Sequence, residues 1–143
     1  MFRSKIDTQK IFDHYDHKDI TVKLAETYEE YRKAFELLHD CYVKKGLMEP
    51  HPSNLRCSVH SFLPHNHVVV AVNGKGEVVG TISIIKDNPL YLPAESVYKK
   101  EVVDVRSKEG RELAEISALS ISPEYREQSH TIQFMLNKFT YNY

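Results

Sequence analysis

The chain has 143 residues, of which 41% are apolar and 27% charged, and its formal net charge is −1. That is enough sequence for one domain with a real core. The composition excludes a disordered chain, and the near-neutral balance offers no broad basic face for nucleic acid. No apolar run approaches the roughly 18 residues of a membrane span, and the first ten residues lack the apolar core of a signal peptide. Two cysteines, Cys41 and Cys57, do not make a disulfide framework and read as two buried free thiols of a cytoplasmic protein.

Residues 1–18 are polar and mixed and read as a leader, with residues 19–143 as the domain. His14 and His17 have helical spacing but no evident third ligand, so no metal site is assigned. Ile20 to Ala25 alternates apolar and polar residues, as a first strand does. Thr27, with Glu30 three residues on, makes a capping box for a helix running to about Lys45. Tyr31, Ala34, Phe35, Leu38, Cys41 and Tyr42 form its inward stripe, and His39 is read as a surface or half-buried histidine. Gly46 ends the helix. Leu47 to Asn66 holds three prolines and no regular pattern, which fits a lid or a wall of a substrate site. Arg56 in it can grip an acceptor carboxylate through paired N–H groups, although a plain surface arginine is the more frequent case for such a residue. His65 and His67 would share one side of a strand.

The strands His67 to Asn73 and Glu77 to Ile85 flank Asn73-Gly74-Lys75-Gly76, a hairpin turn. Both are apolar on both faces, so they should be central strands covered on both sides. Leu92 to Arg106 reads as an amphipathic helix with Val97, Val102 and Val105 inward and Pro93 in its first turn. Leu113 to Ile121 reads as a strand carrying an acid, Glu115, among apolar neighbours. A carboxylate there costs free energy unless paired or used. Ser122-Pro123-Glu124 breaks the pattern, and Ile132, Met135, Leu136 and Phe139 then recur at helical spacing. A strand, a polar loop and a helix N-terminus together can bind phosphate. The fold class is α/β (α+β): a mixed, mainly antiparallel central sheet with helices on both faces.

This order, the strand Glu115-Ile116-Ser117-Ala118-Leu119-Ser120-Ile121, the hairpin Asn73 to Asp87 and the turn Pro123-Glu124-Tyr125-Arg126 resemble the GNAT acyltransferase superfamily. Within it they resemble the branch of N-acyl amino acid synthases and autoinducer (acyl-homoserine-lactone) synthases, whose strand reads Glu-x-Ser-Arg-x-x-Val. The resemblance runs from about Ile20 to Tyr143. Ala118 stands where the autoinducer synthases have arginine, which counts against a homoserine-lactone product. Ser129 and Thr131 stand at the glycine positions of the usual phosphate loop, after Arg126.

The resemblance implies transfer of an acyl group, expected to be long-chain, from a pantetheine thioester, on acyl carrier protein or coenzyme A, to the amine of an amino acid or similar small molecule. Neither donor would be a tightly bound cofactor. Glu115 would be the base, with a pKa raised by desolvation. Its bland alternative is a structural carboxylate paired with Arg111 or a lysine. Leu119 and Ile121 on the strand, with Arg126, Ser129 and Thr131 after it, would bind the donor, and Arg56 the acceptor. A non-catalytic sensor or carrier-binding module of the same shape, and an acetyl-CoA-dependent N-acetyltransferase, are the other readings. GNAT domains continue with further strands, so the resemblance also implies a domain incomplete past Tyr143, with an open strand edge that would favour a homodimer.

Overall fold

The computed structural model describes residues 19–143; the His14/His17 pair lies outside them. In chain order the elements are strand β1 (Thr21–Leu24), helix α1 (Tyr28–Lys44), a 3-10 turn (Val59–Phe62), strands β2 (His67–Val72) and β3 (Val78–Lys86), helix α2 (Glu95–Glu109), strand β4 (Ala114–Ile121), a second 3-10 turn (Pro123–Gln128) and helix α3 (Ser129–Asn142). The four strands form one antiparallel sheet in the order β1-β2-β3-β4.

The central hairpin follows from its composition. Val68 to Ala71 and Val79 to Ile85 are buried without a break, because helices cover both faces of the two strands. Each fully buried Val or Ile contributes about 1.5–3 kcal/mol of transfer free energy. The Asn73 side chain builds the turn by accepting from the amides of Lys75 and Glu77 at 3.0 and 2.9 Å. Its amide group donates to the Tyr125 hydroxyl at 2.9 Å, which ties the turn to the segment after β4.

One face packs on α1, through Ala34, Phe35 and Leu38 against Val68 and Val70. The other packs on α3, through Ile132 and Leu136 against Val69, Ala71, Val79, Ile82 and Ile84. Gly80 makes that second packing close. A Cβ at this position would stand 3.0 Å from Ile132 Cγ2 and 3.2 Å from Leu136 Cδ1.

Three expectations are corrected. His39 is buried, not superficial, because its Nε2 accepts the His51 amide at 3.1 Å and pins the start of the irregular loop to α1. His65 sits in a turn with φ 71°, two residues before the strand begins, so it does not share a strand face with His67. Helix α2 begins at Glu95 and kinks at Tyr98. The kink breaks the assumed valine stripe, and Val97 is 73% exposed, while Val102 and Val105 are half-buried. What holds α2 is polar: Arg106 reaches both Asp87 and Glu95.

The capping box at α1 forms as the sequence requires. Thr27 Oγ1 accepts from the Glu30 amide at 3.2 Å, and Glu30 accepts from the amides of Glu26 and Thr27. The Glu26 amide first, then Lys23, hold the Glu30 carboxyl down to about 2 from the ordinary 4.5. A depressed carboxylate pKa adds stability that is fully present above the ordinary value and lost as pH falls through the folded one. Thr27→Ala should cost about 1 kcal/mol. The gap in urea midpoint between the wild type and Glu30→Gln should be wide at pH 7 and nearly closed by about pH 2. A gap that does not change with pH contradicts the assignment.

Candidate active site

Strand β4 is not regular. Thr81 pairs with Ser120 and Ser83 with Ser117, so Ala118 and Leu119 lie together opposite Ile82. Ala118 takes a left-handed backbone, φ 55°. This is a β-bulge, a feature that re-aims side chains and concentrates next to active sites. Its consequence is a change of parity. Glu115 and Ser117 open toward α1, in a cleft shared with Leu38 and Tyr42. Leu119 and Ile121, which simple alternation would put on the same face as Glu115, pack instead against the α3 core.

The cleft beneath the bulge has a volume of about 340 Å³. Its walls come from β3 and β4, from Leu38 and Tyr42 of α1, and from the loop after α1, including Arg56, Cys57 and His60. Glu115 is half-buried, and its Oε2 accepts the Ala94 amide at 2.7 Å, just before α2. Arg56 is exposed and stacks over the Tyr42 ring, its Cζ 4.2 Å from the centroid. The Arg56 amide donates to Phe35 O at 3.1 Å, which fixes the loop on α1. The sequence-derived base and acceptor-binding residue therefore line one cleft.

The donor residues divide. Leu119, Ile121, Arg126 and Ser129 line a second depression, of about 470 Å³, at the far end of β4. Thr131 is half-buried on α3 and is not among its lining residues. Lys44 and Lys45, at the end of α1, line the same depression. The Ser129 hydroxyl donates to Arg126 O at 2.8 Å, closing the turn into α3. The expected loop after β4 is thus a 3-10 turn, leading directly into α3. On the other side of the first cleft an apolar groove of about 520 Å³ runs between α1 and the loop, lined by Tyr28, Tyr31, Phe35, Leu55 and Phe62 among others. Cys57, Ser61 and Asn66 border both, so the two spaces are neighbours.

Several of these residues were not legible as site residues. Lys44 and Lys45 looked like helix-terminal charges. His60 carries no motif, yet it borders the cleft and pairs through Nε2 with Tyr91 O at 2.9 Å. His67 also lines the cleft, and burial first, then Lys86 and His65, push its pKa below the ordinary imidazole value. Among the described residues, no group of three or more His, Cys, Asp or Glu side chains could hold a metal ion, and no helix is long and apolar enough to cross a membrane.

Comparison with known proteins bears on this geometry. The family described as N-acyl amino acid synthase FeeM matches residues 33–143, a stretch that includes the cleft, the bulge and α3. The chain belongs to the FeeM N-acyl amino acid synthase family. The solved structure of FeeM, an N-acyl amino acid synthase from uncultured soil microbes, superposes with a TM-score of 0.65 at 22% sequence identity. The match covers 86% of this chain and 65% of that one, so the chain spans less than two thirds of the FeeM structure's length. That likeness carries the GNAT-like fold. No curated protein matches the chain.

In this family member the two thiols differ sharply. Cys41 is buried, donates to Ile121 O at 3.6 Å, and has its pKa pushed up by burial above all. Cys57, expected from the sequence to be buried, is instead exposed at the cleft border, because it lies in the irregular loop outside the helix–sheet core. A thiol reagent should therefore modify Cys57 rapidly in the native protein, while Cys41 reacts only as fast as the fold opens. Two thiols reacting at one rate without denaturant would contradict the packing of Cys41 between α1 and β4.

Proposed function

We propose that this chain is an N-acyltransferase. It moves an acyl group, expected to be long-chain, from a pantetheine thioester to the amine of an amino acid or similar small molecule. The observation that carries the reading is the placement of Glu115 and Arg56 in one cleft beneath the β4 bulge. Family membership supports the reaction class.

The chemistry assigns a task to each residue. The Arg56 guanidinium pairs with the acceptor's carboxylate. Glu115 takes a proton from the acceptor ammonium, directly or through one water, and frees the nitrogen lone pair. The nitrogen attacks the thioester carbonyl carbon, and a C–N bond forms as the oxygen gains charge. A backbone N–H at the bulge, near Leu119, stabilises that oxygen. Collapse breaks the C–S bond, the proton held by Glu115 passes through water to the departing sulfur, and the second nitrogen proton is lost to water, leaving the amide and a free thiol. Strand β4 is at one edge of the described sheet, and the pantetheine amides pair along it as an added strand. The arm then ends at the depression lined by Lys44, Lys45, Arg126 and Ser129.

Glu115→Gln keeps the shape and removes the basicity. Its kcat should fall by about 10²–10⁴, the usual worth of general base catalysis. Release of free thiol from an acyl donor with mixed amino acids checks this. A wild-type rate across pH 6–9 would sink the assignment, and binding of donor without turnover by the wild type would favour a non-catalytic sensor module.

The donor is expected to be carrier-linked. Ser129 and Thr131 replace the glycines that let backbone amides close on a pyrophosphate, and a carrier-borne arm presents only one phosphodiester. Lys44, Lys45 and Arg126 offer cations to that phosphate and to an acidic carrier surface, an attraction that salt weakens. With matched long-chain acyl groups, kcat/KM should be higher for the carrier form, and the preference should shrink as ionic strength rises. Equal or better use of the coenzyme A form would refute the preference.

A further inference from the structure

We infer that Arg106 is a positioning residue for Glu115, acting through the turn that precedes α2. The inference rests on the reading of Glu115 as the base, but the geometry behind it is separate. Arg106 stands at the centre of a half-buried polar cluster. Its Nε donates to Asp87 Oδ2 at 3.0 Å, and its Nη2 donates to both Asp87 Oδ1 and Glu95 Oε1, the latter at 2.6 Å. Each carboxylate in turn holds backbone. Asp87, just after β3, accepts the Leu113 amide at 3.3 Å and donates its own amide to Leu113 O at 3.0 Å, which sets the start of β4. Glu95 is buried and accepts the Leu92 amide at 3.1 Å, which sets the turn into α2.

Between those two anchors lies Ala94, and its amide is the group that donates to Glu115 at 2.7 Å. Both ends of the lever are therefore fixed by one guanidinium: the strand that carries Glu115 and the turn that grips it. Arginine is suited to this because its planar fork meets two carboxylates at once, which a lysine ammonium cannot reproduce. The cluster is set at the rim of the cleft, where Pro93 and Glu115 are both lining residues. A helix held only by a valine stripe would leave the Ala94 amide free to drift, and the exposure of Val97 shows that no such stripe supports this end.

The test uses the full chain with Arg106→Met, Arg106→Lys and Glu95→Gln, each also combined with Glu115→Gln. The first readout is the amide proton shift of Ala94 by NMR, which reports its hydrogen bond whether or not the protein turns over. Arg106→Met should move it upfield, with Arg106→Lys between it and wild type. The second readout is kinetic. Arg106→Met should lower kcat about ten- to a hundredfold, the scale of a small misplacement of a reacting group, with the KM values changed less than about twofold. In the Glu115→Gln background the same substitution should cost nothing further. If Arg106→Met does not fold, as judged by its thermal melt, Glu95→Gln is read the same way. An unmoved Ala94 amide, or a rate loss as large without the Glu115 carboxylate as with it, overturns the inference. If Glu115→Gln alone keeps the wild-type rate, the base assignment fails, and the Ala94 shift still decides whether Arg106 holds the carboxylate.

Discussion

The backbone of Ala118 is the constraint on which the site depends. A non-glycine residue in the left-handed region costs about 1–2 kcal/mol and persists only where its surroundings over-determine it. Here the surroundings are strong. Strand β4 is in register with β3 on both sides of the irregularity, from Lys86 paired with Ala114 to Gly80 paired with Ile121. The residue opposite, Ile82, is 1% exposed and locked in the α3 core. The extra residue in β4 has nowhere to go except into a bulge.

That bulge divides the strand by chemistry. Before it, Glu115 and Ser117 face the α1 side with the loop that carries Arg56. After it, Leu119 and Ile121 pack on α3 and border the depression that holds Arg126, Lys44 and Lys45. A regular strand would put the carboxylate and both apolar side chains on one face, so either Glu115 would leave the α1-side cleft or Leu119 and Ile121 would lose their packing on the α3 core. Helix α1 serves both halves. Leu38 and Tyr42 wall the cleft, and Cys41 with the terminal lysines walls the depression. The buried His39, through the His51 amide, holds the loop against the same helix.

The sheet and its two covering helices were legible because their signals are local. Alternation, a capping box and a hairpin turn each act over a few residues, and the apolar hairpin strands demand cover on both faces. Glu115 and Arg56 were legible by residue type, as an acid in an apolar strand and an arginine in a proline-rich loop. Their meeting in one cleft was not, because the loop's path depends on His39 and on the Arg56 amide bonding Phe35 O. The bulge left no trace, since Ala118 is neither glycine nor asparagine and alternation across it looks unbroken. The valine pattern misled at α2, where a single arginine between Asp87 and Glu95 outweighs the apolar spacing. The positions of Lys44 and Lys45 beside Arg126 arise from α1 packing on β4, which no short-range pattern carries.

The most direct test of the site is an NMR titration of the chain with a stable N-acyl amino acid, the product form of the reaction proposed. Such a ligand turns over nothing and touches acceptor and acyl subsites together. Amide shifts should concentrate at Ser117, Ala118 and Leu119 around the bulge and at Arg56 and Cys57 across the cleft, with the Arg56 side chain responding to the ligand's carboxylate. Saturable binding mapped instead to the exposed side of α3, with the bulge residues unmoved, would contradict the assignment of the cleft beneath Ala118.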